Sequence, residues 1–116
     1  MNWKKTDSIC GTSLQGNVNC SYQDLVSIFG EQHSSGDDYK TSCEWGIEFD
    51  DGIIATIYDW KQNKIYLGED EGIHYTEVTN WNIGGNSWKS HFYIYMLLET
   101  KENKIDKLHK DAIALD

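Results

Sequence analysis

The sequence predicts an α+β fold: a single antiparallel sheet of about four to five strands, a short N-terminal helix and one or two C-terminal helices. Three patterns predict it. Trp45, Ile47 and Phe49 alternate with Glu44, Gly46 and Glu48, the period of a half-buried strand. Asp50-Asp51-Gly52 then separates this run from a β-branched and aromatic run over residues 53–58, which predicts a type I′ hairpin because Gly accepts positive φ. Finally, apolar residues recur at helical spacing after Ser21 and again after Ser87.

The elements follow in order. Residues 1–10 have no clear period and read as a loose arm. Residues 12–20 alternate, with Leu14, Val18 and Cys20 on one side, and predict a strand in which Gly16 marks a bulge or a close approach. Ser21-Tyr22-Gln23-Asp24 has the spacing of a capping box, with Asp in place of Glu. Leu25, Ile28 and Phe29 share a face, and Gly30 stands where a helix commonly ends, so a helix is expected over residues 22–29. Ser, Gly and Asp make residues 31–38 a loop.

After the hairpin, Ile65-Tyr66-Leu67 predicts a third short strand and residues 68–72 an acidic loop. Residues 78–83 predict another strand, ended by Gly84-Gly85. Ser87 caps a long helix on which Trp88, Phe92, Tyr95 and Met96 form one stripe, with His91, Ile94 and Leu98 beside it. Beyond a break near Glu102-Asn103, Ile105, Leu108, Ala112 and Leu115 make residues 102–116 a terminal helix. The order is β-α-β-β-β-β-α-α with helices on one face of the sheet. A chain of 116 residues suits one domain, 1–116.

Composition narrows the functional classes. Ten Lys, no Arg and a net charge of −9 oppose direct binding to nucleic acid or to an anionic membrane. Without Arg there is no bidentate fork for phosphate, so an anion site would use Lys40, Lys61, Lys64, Lys89 or backbone amides. Cys10, Cys20 and Cys43 are odd in number and loosely spaced, which argues against a disulfide framework and a zinc site. Residues 1–5 lack the apolar run of a signal peptide, and residues 92–98 are too short to span a bilayer. A reducing cytoplasm is the expected setting.

Five Trp and seven Tyr are a heavy load for this length, and both types serve binding surfaces as well as cores. Tyr58-Asp59-Trp60-Lys61 puts rings and charge at a strand end, where a base could stack on Tyr58 or Trp60 while Lys61 meets a phosphate. The alternative is a half-buried sheet face with solvated Asp59 and Lys61, and with Trp45 and Trp81 filling the core. The run from Gly11 to Gly16 sets Thr12 and Gln15 between two glycines, as a backbone-approach site or an edge strand would. Gly84-Gly85 before a capped helix suits an anion or a plain strand-to-helix turn. The ligand-binding candidates are thus Thr12, Gln15, Lys40, Tyr58, Trp60, Lys61, Trp81, Gly84 and Gly85. No catalytic, metal or cofactor residues are indicated: the four His lack metal spacing, no His is placed to activate Cys43, and the paired carboxylates fall in turns.

Several blocks stand in order: G-T-S-L-Q-G (11–16), Y-x-x-L-V-x-x-F-G-E (22–31), Y-K-T (39–41), E-W-x-I-x-F-x-D-G (44–52), A-T-I-Y-D-W-K (55–61) and W-N-I-G-G (81–85). Together they resemble a widespread group of small phage-encoded proteins over residues 11–85. The group's last block is commonly W-H-I-G-G, and Asn82 stands where that His would be, which leaves an imidazole role here unsupported. The resemblance implies an accessory protein of the host cytoplasm that counters host defence. It fixes no site.

Two function classes follow. In one, the chain sequesters a nucleotide-like immune signal. In the other, an acidic inhibitor, like an anti-CRISPR or a nucleic-acid mimic, blocks a host defence protein. A homo-oligomer is compatible with both. An enzyme is a third class that rests only on the presence of His, Cys and carboxylates.

Overall fold

The computed structural model describes residues 2–9, 11–32 and 43–100. One antiparallel sheet of five strands carries helices, as the α+β reading expects. The strands are β1 (Trp3–Lys5), β2 (Ser13–Asn19), β3 (Glu44–Phe49), β4 (Ile54–Tyr58) and β5 (Asn80–Gly85), in the spatial order β1-β3-β4-β5-β2. Helix α1 (Tyr22–Phe29) begins with the expected capping box: Ser21 Oγ accepts from Asp24 N, and Asp24 Oδ2 accepts from Ser21 N. Gly30, at φ 78°, ends it.

Register assigns the two faces of the sheet. Trp45 lies opposite Ile57, which lies opposite Ile83, and Ile47 lies opposite Ala55. These side chains, with Phe49, Trp81 and Val18, form the core against Tyr22, Leu25 and Phe29 of α1. The other face carries Glu44, Gly46 and Glu48 of β3, Ile54, Thr56 and Tyr58 of β4, and Asn82 and Gly84 of β5. The two core tryptophans meet edge to face with centroids 5.5 Å apart. Their indole N–H groups donate to Gly30 O and Cys20 O, so neither buries an unmet donor.

Four expectations are corrected. Trp3–Lys5 is no loose arm: it pairs with Phe49, Glu48 and Ile47, and the Trp3 ring packs 5.1 Å from Phe29. Three residues are too few for a period to show in the sequence. The β3–β4 turn is also not type I′. Asp50 and Asp51 keep negative φ, Gly52 alone is positive at 86°, and Gly52 N donates to Phe49 O while Phe49 N donates to Ile53 O. That is a three-residue hairpin loop with a closing glycine. Asp51 Oδ1 accepts from Ile53 N, the local bond that Asp makes two residues on.

Residues 65–67 form no strand. They lie in a helical turn, α2 (Lys64–Leu67), because Asn63 caps it: Asn63 Oδ1 accepts from Tyr66 N, and Asn63 O from Leu67 N. Strand β5 lies two residues later than expected, and Gly84-Gly85 belong to it, paired with Thr56 and Ala55 on one side and Leu14 and Ser13 on the other. A short 3₁₀ turn at Tyr75–Glu77 fills the interval before it.

Residues 89–100 are helical (α3), with Ser87 Oγ accepting from Lys89 N. The side chains beside the expected stripe seat this helix. Ile94 and Ser90 are fully buried, and Ser90 Oγ donates to Ile54 O at 2.6 Å. Two glycines make the close approach possible. A Cβ at Gly85 would overlap Ser90, and one at Gly16 would lie 2.8 Å from the His91 ring. Gly16 is also at a register shift of β2, so it serves as both bulge and approach point. The stripe itself faces outward, with Trp88 67%, Phe92 46%, Tyr95 48% and Met96 39% exposed. The expected helix over 102–116 lies outside the described residues.

Candidate functional site

The sequence candidates separate onto two faces and two ends of the sheet. Trp81 is fully buried and belongs to the core, so it lines no site; alternation sends its side chain inward with Ile83. Gly85 lies beneath Ser90 and is covered. Gly84 lies on the opposite face, where a Cβ would meet Thr56 Oγ1 at 2.5 Å and Tyr58 Cε1 at 3.5 Å. Thr12 donates to Ile9 O, and Gln15 Nε2 donates to Ser13 Oγ and Gly85 O. These two polar residues organise the start of β2 beside the C-terminal end of β5. Trp60 and Lys61 lie near the other end, where Gln62 Nε2 donates to Asn80 O. Asn80 and Gly85 are five residues apart, about 17 Å along a strand. Thr12 and Gln15 therefore do not join Trp60 and Lys61. Lys40 lies outside the described residues.

What remains is a corner at the end of β4. Tyr58 stands across from Asn82 and Glu44 in register. Burial pushes its phenol up, a hydrogen bond with Asn82 works in the opposite direction, and the Glu44 carboxylate adds to the rise. Trp60 meets Tyr58 edge to face at 6.2 Å and is 39% exposed. Lys61 has φ 58°, a left-handed conformation that non-glycine residues rarely adopt. Its Nζ lies 5.7 Å from the Trp60 ring centroid and 6.0 Å from that of Tyr66. No carboxylate of the described residues lies within 4.0 Å of that ammonium.

The corner rests on a firm base. Asp59, between the two rings, is fully buried and accepts from Cys43 N at 2.9 Å. Asn63 caps α2 and so brings Tyr66 to Lys61. Sequence reading missed Tyr66 by assigning residues 65–67 to a strand. The Asn63 cap three residues ahead of Tyr66 was the available signal. It also missed Asn82 as the partner of Tyr58, a contact that exists only through β4–β5 register.

Among the described side chains, the chemistry at hand is stacking, hydrogen bonding and the Lys61 cation. Burial, then the carboxylates of Asp59 and Glu44, pushes the Cys43 thiol up to about 12, so at neutral pH it is a protonated core residue and a poor nucleophile. Among the described residues, no three His, Cys, Asp or Glu groups gather to hold a metal ion. No helix among them is long and apolar enough to cross a membrane. No known protein-family model matches the chain, and no curated protein sequence does either.

Proposed function

We propose that this chain is a binding protein that captures a planar, anionic ligand of nucleotide type at the β4 corner. Lys61 carries the reading: its ammonium is held over two rings and meets no carboxylate among the described residues of this acidic chain. A base stacks on the Trp60 edge of the corner, Tyr58 and Asn82 offer polar groups to it, and the phosphate lies toward Lys61, away from Glu44. In this reading the described residues of the corner offer stacking faces, hydrogen bonds and an ammonium, and they hold the ligand and do not turn it over. In the phage setting that the sequence resemblance implies, such capture would withdraw a nucleotide immune signal from the host cytoplasm.

Calorimetry and thermal unfolding with linear and cyclic nucleotides test this, with inorganic phosphate as the control. A nucleotide at about 100 times its Kd is expected to stabilise the native chain by about 2.7 kcal/mol. Trp60→Ala and Lys61→Gln are expected to abolish that gain and leave the free protein folded. Absence of stabilisation by every nucleotide at millimolar concentration would overturn the reading.

A further inference from the structure

The exposed face of α3 has no part in the β4 corner. Trp88, Phe92, Tyr95 and Met96 recur at i, i+4, i+7 and i+8 and so form one continuous stripe. The Trp88 and Phe92 rings lie 6.2 Å apart. The opposite side of the same helix, Ser90 and Ile94, is already seated on the sheet. The helix is therefore apolar on two sides, and among the described residues only one is seated on the fold. With about half of each large side chain uncovered, the stripe leaves on the order of 400 Å² of apolar surface. Patches of that size on monomers are often functional. Trp, Tyr, Phe and Met are also the types that anchor an amphipathic helix in a partner's groove.

The stripe has an acidic border. At its N-terminal end the β3–β4 turn carries Asp50 and Asp51, both exposed. Asp51 Oδ2 accepts from Tyr93 OH at 2.5 Å, which ties the turn to the helix. A cleft of about 260 Å³ opens there among Asn2, Phe49, Asp50, Asp51 and Tyr93. The Tyr93 ring stands 6.3 Å from that of Phe92 in the stripe. At the other end Glu99 is exposed and accepts from Tyr95 OH at 2.7 Å. An apolar band with carboxylates at both ends, in a chain of net charge −9, complements an apolar groove rimmed with Lys or Arg.

We infer that the outer face of α3 is a docking surface for a protein partner that presents such a basic-rimmed apolar groove, with a Lys or Arg of that partner entering the Asp50–Asp51 cleft. This does not depend on the nucleotide reading, since the two surfaces share no residue.

The test uses the full chain and two synthetic amphipathic helical peptides. Both carry the same Leu face, one flanked by Lys and the other by Glu. The Lys peptide is expected to bind, and the Glu peptide to bind at least tenfold more weakly. The paired change Trp88→Ser with Phe92→Ser is expected to weaken the Lys peptide at least tenfold. Asp50→Asn with Asp51→Asn is expected to weaken it severalfold and to reduce its salt dependence. Trp60→Ala is expected to leave it unchanged, which separates failure here from failure at the corner. The substituted positions are exposed, and urea unfolding checks that each variant is folded. Equal binding of both peptides, or Lys-peptide binding that ignores the stripe changes, overturns the proposal in favour of diffuse attraction. Two further results overturn it by naming another occupant. One is a wild-type dimer in sedimentation that the stripe changes dissociate. The other is stripe binding that appears only after Ile105→Asp with Leu108→Asp in the full chain, which would assign the face to residues 101–116.

Discussion

Two groups of aromatic residues in this chain have the same chemistry and opposite surroundings. Trp45, Trp81 and Phe29 are enclosed between the sheet and α1, with both indole N–H groups donating to backbone carbonyls. Trp88, Phe92 and Tyr95 stand on the outer side of α3, Trp88 two-thirds exposed and the other two nearly half. Ring content therefore does not separate core from binding surface. The seat of a helix does, and here small residues decide it: Gly85 and Gly16 accept Ser90 and His91, which turns the large apolar stripe outward.

The comparison breaks most sharply by truncating one ring from each group. Trp81→Ala empties the middle of the core and is expected to cost about 3–5 kcal/mol. Trp88→Ala, by contrast, is expected to change stability by no more than about 0.5 kcal/mol. Urea unfolding of both variants measures the difference. Equal costs would mean that Trp88 is packed in solution, and the division into two groups would fail.

Neighbouring glycines on opposite faces give the next largest effect. In Gly85→Ala the new methyl would overlap Ser90 and lie 2.6 Å from Ile54 O, a backbone atom that cannot turn away. The helix must move off the sheet, at an expected cost of about 1–3 kcal/mol. Gly84→Ala meets chiefly the Thr56 hydroxyl. It is expected to cost less, because one side chain can adjust where a helix and a backbone cannot. The same urea measurements rank the two, and a larger loss for Gly84→Ala would refute the account of how α3 docks.

Much of this fold was legible in the sequence, and the misses share a cause. The capping box at Ser21, the Trp45–Phe49 alternation and the glycine turn at Asp50–Gly52 are local signals, and each appears where the sequence places it. The hairpin type, the α2 turn and the end of β5 depend on competing hydrogen bonds whose partners lie in the turn or across the sheet. Asp51 to Ile53 N, Asn63 to Tyr66 N and Ser13 opposite Gly85 are of that kind. The candidate site was legible only as the short run Tyr58, Trp60 and Lys61. Trp81, Gly85, Thr12 and Gln15 join it in the sequence reading because aromatic, polar and glycine residues gather toward the strand ends. Register shows which ends meet, and a single sequence carries no register across 20 residues of intervening chain.

Cys43 provides a pH test of the enclosed group. Its thiol is raised to about 12, first by burial and then by Asp59 and Glu44. An unfolded thiol titrates near about 8.5. Because the folded value is the higher one, this group's contribution to stability is complete below the unfolded value and is lost as pH climbs toward 12. Stability is therefore expected to decline between about pH 8.5 and pH 11, and Cys43→Ala is expected to flatten that decline. Iodoacetamide at neutral pH is expected to spare Cys43 until urea unfolds the chain. Rapid modification of native Cys43 would show that the core around Trp45 opens readily.

The smallest expected effect lies at the surface, where the Tyr93 hydroxyl donates to Asp51 and joins the β3–β4 turn to α3. That bond, followed by the one from Ile53 N, holds the Asp51 carboxyl below its ordinary range, while the same Tyr93–Asp51 bond is the first cause that pushes the Tyr93 phenol up. The signs are opposite and so are the windows. Asp51 contributes above the unfolded carboxylate value of about 3.9 and loses its contribution as pH falls through the lower folded value. Tyr93 contributes below about pH 10 and loses its contribution as pH rises beyond that. Tyr93→Phe removes both, so it is expected to lower the plateau slightly and to flatten the acid and the alkaline limbs together, the difference from the parent chain vanishing toward both extremes. Urea midpoints from pH 2 to pH 11, at low and high salt, measure this, and salt is expected to shrink the acid-limb difference because the carboxylate is exposed. If only one limb responds, the two groups titrate independently, and the turn that supplies the acidic cleft beside Phe92 is held to α3 by something other than this bond.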